Sequence, residues 1–93
     1  MNPVRISFIH GEDARTEIES TKRGYRGGVH VELGDGRVME FEFFDPTRLR
    51  QDIERSFQDG QRFYFEPTMI VVPEVTREMI LDAIRALSEK GYF

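Results

Sequence analysis

Two stretches of strict alternation flank a Gly-Asp-Gly triplet, and this pattern limits the fold more than any other part of the 93-residue chain. In Gly28 to Leu33, Val29, Val31 and Leu33 share one face; in Arg37 to Phe43, Met39, Phe41 and Phe43 do the same. Alternation with period two belongs to half-buried strands, and Gly34-Asp35-Gly36 between them marks a hairpin turn. A two-residue Asp-Gly loop sets Val31 opposite Glu40, an apolar side chain against an acid. A three-residue loop instead sets Val31 opposite Met39 and Val29 opposite Phe41, with Gly36 in the left-handed position that closes it. A slip of one residue turns every side chain to the other face, so the pattern selects the three-residue loop.

The remaining elements are read around this hairpin. Val4 to Phe8 alternates and predicts a strand. Thr16 to Thr21, "TEIEST", is read as a weaker strand anchored by Ile18. Asp45-Pro46 opens a helix by capping and by placing proline where no amide is needed. Leu49, Ile53 and Phe57 then form its narrow apolar stripe, and Asp59-Gly60 ends it. Arg62 to Pro73 is read as a pair of short strands or one bent strand; a hairpin through Glu66-Pro67-Thr68 pairs Phe65 with Met69 and Phe63 with Val71. That loop asks Thr68 to approach positive φ, which a β-branched residue resists. Thr76 caps a final helix, Val75 and Ile80 form a hydrophobic staple, and Gly91 stops it. The expected fold is a single α+β domain over residues 1–93. Its antiparallel sheet has about four to six strands and two helices on one face, in the order β-β-β-β-α-β-β-α.

Composition narrows the function classes. With no cysteine, the chain has no disulfide, no thiolate nucleophile and no cysteine zinc ligand. No apolar run approaches a membrane span or a secretory leader, so the expectation is a soluble cytoplasmic protein with no membrane partner. Seventeen acids against thirteen bases give a net charge of −4, which weighs against a protein that lives by gripping phosphate backbones. No phosphate loop, dinucleotide fingerprint or nucleophile elbow occurs, and about 90 residues leave little wall for a water-excluding pocket. The reading is therefore non-enzymatic, with no cofactor.

Three groups of residues could carry function. On the polar face of the central hairpin, His30 lies opposite Glu40 with Glu32 and Glu42 nearby; His30, Glu32 and Glu40 are the weak candidates for a metal or a general base. The alternative is a solvated face whose charges discourage edge aggregation. The stretch Thr21 to Gly28, "TKRGYRGG", concentrates Lys22, Arg23, Tyr25 and Arg26 among three glycines. It is read as a loop between strands, open either to nucleic acid through charge and stacking or to an acidic protein partner. Only one copy of the motif occurs, whereas RGG-type contacts come as repeats. In the hairpin register Arg26 is expected to extend along the His30 and Glu40 face. Arg48, Arg50 and Arg55 on the first predicted helix are interleaved with Asp52, Glu54 and Asp59, the pattern of a face laced by ion pairs.

The third group is apolar. Val38, Phe44, Tyr64, Ile70 and Val72 are expected on the sheet face away from the helices, where a large exposed patch is rarely tolerated. A two-fold dimer covering them accounts for this best. The leading expectation is thus a regulatory or accessory domain acting through protein–protein contact, as a homodimer. Nucleic-acid binding through residues 21–28 is the alternative, and a metal-dependent site at His30, Glu32 and Glu40 the second alternative.

Overall fold

The computed structural model describes residues 2–93. Its elements are β1 (Pro3–Phe8), α1 (Ala14–Arg23), β2 (Tyr25–Leu33), β3 (Val38–Phe44), α2 (Pro46–Gln58), β4 (Met69–Val71) and α3 (Arg77–Glu89). One sheet has the order β1-β2-β3-β4. β1–β2 and β2–β3 are antiparallel, while β3–β4 is parallel. The α+β class is as expected, but the sheet is mixed and the described residues form three helices in place of two.

The central hairpin has the register its alternation demands. Val31 pairs with Met39, Val29 with Phe41 and His30 with Glu40. Leu33 N donates to Arg37 O at 2.8 Å, and Gly36 closes the three-residue loop at φ 88°. β1 extends the same apolar face through Ile6 beside Val31 and Phe8 beside Val29. Val72, Val75 and the α3 residues Ile80 and Ile84 seal this inner face. Each such side chain contributes roughly 1.5–3 kcal/mol on burial.

"TEIEST" is helix, not strand. Asp13 caps α1 by accepting from Thr16 N at 2.7 Å, and Gly24 at φ 67° ends it. The helix was hidden because it packs with small polar groups: Ser20 is its one buried residue, and the Thr21 hydroxyl donates to Val75 O at 2.6 Å. Such a helix carries no apolar stripe for periodicity to find.

The hairpin over residues 62–73 does not form. Only Met69–Val71 is strand, and it runs parallel to β3 after the α2 crossover. Thr68 does adopt positive φ, at 53°, immediately before β4. The changed partner also changes the faces. Ile70 lies beside Phe43 and packs against the core, and Val72 is buried within it. Met69 and Val71 take the outer face, beside Glu42 and Phe44.

The helices do not all share one side. α1 and α3 serve the inner face, whereas Arg48 of α2 reaches across the ring of Tyr25 on the outer face. Asp45 caps α2 by accepting from Arg48 N at 2.8 Å. The expected stripe is only partly covered: Leu49 and Ile53 are half-buried, Phe57 is exposed, and α2 has no buried residue.

Candidate functional site

The stretch Thr21 to Gly28 is not a loop. Thr21, Lys22 and Arg23 form the last turn of α1, Gly24 ends that helix, and Tyr25 to Gly28 begin β2. Gly24 also abuts the cap of α2, since a Cβ there would fall 2.5 Å from an Asp45 carboxylate oxygen. Arg26 pairs with Phe43 while Val29 pairs with Phe41, so Gly27 and Gly28 together oppose the single residue Glu42. This is a β-bulge, with Gly28 in the left-handed region at φ 67° and His10 packed where a Cβ would stand.

The bulge reverses the expected direction of Arg26. Instead of extending along the His30 and Glu40 face, Arg26 enters the inner face and is 5% exposed. Its Nη1 donates to Glu17 Oε1 at 2.6 Å, its Nη2 donates to Gly11 O at 2.7 Å, and its guanidinium lies 4.2 Å from the Phe8 ring centroid. A cation so enclosed ties β2 to α1 and to the turn after β1, and it is not free for an extended nucleic-acid or acidic surface. Lys22 and Arg23 remain exposed. Tyr25 is half-buried, edge-on to Phe44 at 5.0 Å, and its hydroxyl donates to Glu42 Oε1 at 2.8 Å.

On the open part of the outer face, His30 Nε2 and Glu40 Oε1 are 2.7 Å apart, as their pairing requires. Glu32 lies on the same face, and a shallow groove runs past Arg5, Ser7, Ile9, His30, Glu32 and Val38. The three candidates do not converge: among the described residues no group of three or more His, Cys, Asp or Glu side chains could hold a metal ion. On α2 the ion-pair reading holds for Arg48, whose Nε donates to Asp52 Oδ1 at 3.0 Å.

A second cluster stands at the other end of this face, where Glu66 of the α2–β4 connection meets Glu42. The hydrogen bond between these carboxyl groups raises the Glu66 pKa, with burial and the charges of Glu42 and Asp52 adding to the effect. Burial raises the Tyr64 hydroxyl, helped by the charges of Glu66, Asp52 and Glu42. Burial first, then the hydrogen bond to Glu42 and its charge, push Tyr25 up to about 12.

The expected dimer residues divide. Phe44 is 2% exposed and Val72 is in the core, so neither can meet a partner; Tyr64 and Ile70 are half-buried, and Val38 alone stands fully outside. Exposed apolar side chains are spread over several elements, among them Val4, Ile9, Ile18, Met79 and Tyr92; Phe57, Phe63, Phe65, Met69 and Val71 fall between the end of α2 and β4, with Phe65 70% exposed. The 62–73 hairpin puts Phe63, Phe65, Met69 and Val71 on the helix-covered face, and the helix stripe puts Phe57 inward, so the sequence pattern points all five away from solvent. The signal that could have moved them was Thr68, a poor residue for that turn.

β4 adds an open edge. Glu42 N donates to Thr68 O at 3.2 Å and Val72 N donates to Phe44 O at 2.9 Å. Backbone groups alternate in direction along a strand, so those of Thr68, Ile70 and Val72 face β3 while those of Met69 and Val71 face outward. The strand carries no charge or proline to blunt it.

These features define an α+β domain with an open three-residue sheet edge preceded by a segment that exposes several aromatic side chains. No protein-family model, no curated protein and no solved structure matches the chain. Among the described residues no helix is long and apolar enough to cross a membrane.

Proposed function

We propose that this is a non-enzymatic, cytoplasmic interaction domain, a regulatory or accessory protein that forms a homodimer through the β4 edge. The observation that supports the reading is that Met69 and Val71 combine outward backbone groups with exposed side chains, while Phe57, Phe63 and Phe65 are exposed on the segment that leads into β4. A second copy fits this edge because β4 is self-complementary about Ile70. In a two-fold antiparallel pairing Met69 meets Val71 of the other copy, the outward N–H and C=O groups of both residues are satisfied, and apolar side chains meet apolar side chains. The exposed aromatic side chains of that segment then supply the buried area that a three-residue pairing lacks.

Light scattering on a concentration series tests the proposal. The expected mass at high micromolar concentration is twice the 10.9 kDa of one chain. Val71→Pro removes an outward amide without touching the bonds to β3, so it should yield folded monomer by circular dichroism. A wild-type monomer throughout the series, or a dimer unaffected by Val71→Pro, would overturn the reading.

A further inference from the structure

β1 ends at Phe8, whereas β2 continues past that point to Tyr25; Ile9 N donating to Gly28 O at 2.9 Å is the last link between them. The flank of β2 over residues 25–27 thus lacks a neighbouring strand. α1 closes the gap from one side and His10 from the other, leaving a notch of about 340 Å³ lined by His10, Thr16, Glu19, Ser20, Arg23, Tyr25, Arg26 and Gly27.

Side-chain donors outnumber acceptors in this notch. Glu19, its one carboxylate, is engaged by Arg15 Nε at 3.0 Å. Arg26 uses two of its five N–H donors on Glu17 and Gly11, and it is fixed and almost wholly buried. Among the described residues the Arg23 guanidinium has no ion-pair partner. The hydroxyls of Thr16 and Ser20 add donors on the helix side. A prefixed guanidinium, a free one and two hydroxyls suit an anion with three or more oxygens better than a carboxylate with two. The volume sits at the small end of ligand pockets, which fits a compact anion and not a polymer.

We propose that this notch binds the phosphate group of a small phosphomonoester, with Arg23 and Arg26 as its charged contacts and Thr16 and Ser20 as hydroxyl donors. The site does not depend on the β4 edge, and its occupancy leaves the dimer mass unchanged.

Amide NMR spectra of the wild-type protein, titrated separately with four probes, test this. The probes are inorganic phosphate, a nucleoside 5′-monophosphate, the matching unphosphorylated nucleoside and a single-stranded DNA oligonucleotide. Phosphate and the monophosphate are expected to give saturable shifts at Thr16, Ser20, Arg23 and Gly27 below about 20 mM, and the nucleoside none. Arg23→Gln, on the exposed end of α1, should keep the melting temperature and weaken binding by roughly fivefold or more. Absence of saturable shifts, equal affinity in Arg23→Gln, or binding by the oligonucleotide alone would each overturn the proposal, the last in favour of a polyanion surface.

Discussion

Arg26 shows how one buried cation reorganises a motif. As part of "TKRGYRGG" it looks like a surface charge; in the fold it bridges Glu17, Gly11 and the Phe8 ring. Removing one partner of such a pair strands the other, so Arg26→Ala should lower stability by about 3 kcal/mol in urea denaturation. Arg23→Ala, three residues earlier and exposed, should change it by less than about 0.5 kcal/mol. A smaller loss for Arg26→Ala than for Arg23→Ala would refute this account of the ion pair. Thr68 is the opposite case, a β-branched residue held at φ 53°. Thr68→Gly should relieve about 1 kcal/mol of strain and raise the melting temperature by several degrees. What the sequence could not display at this level was the bulge. Two adjacent glycines read equally well as a loop, yet inserting one extra residue opposite Glu42 is what sends Arg26 inward.

Among the elements, legibility followed the source of stability. The β2–β3 hairpin and α3 carry apolar side chains at strand and helix periods, and both were readable down to register and cap. α1 draws its stability from Asp13, Gly24, Thr21 and the Arg26–Glu17 pair, so its apolar pattern is silent, although its caps were present in the sequence. β4 is not legible in the sequence because three apolar residues do not specify a partner, and its parallel pairing to β3 across α2 is non-local. The connection leading into β4 should respond to pH. The fold raises the Glu66 pKa above its ordinary 4.5, so it favours the protonated carboxyl. That contribution is full below the ordinary value and is lost as pH rises through the raised one. Glu66→Gln keeps a neutral partner for Glu42, so its melting temperature should exceed wild type at pH 7 and match it near pH 4. Equal melting temperatures at both pH values would show that the Glu42–Glu66 contact does not hold the connection.

The assembled chain buries its core on one side of the sheet and leaves backbone groups and the side chains of Met69 and Val71 open at one edge. The α+β class and the central register were legible; the site was not, because its position depends on which way Met69, Ile70 and Val71 face. Had the antiparallel hairpin formed, Phe63, Phe65, Met69 and Val71 would have pointed to the helices, with Ile70 and Val72 outside. The parallel pairing exchanges the two sets and moves the apolar surface to the edge. Amide hydrogen exchange at Met69 and Val71 reads this arrangement residue by residue. Their outward N–H groups should exchange rapidly in dilute protein and become protected at dimer-forming concentrations, while Ile70 and Val72, bonded to β3, stay protected in both. Fast exchange at Met69 and Val71 that does not change with concentration would contradict pairing through the β4 edge.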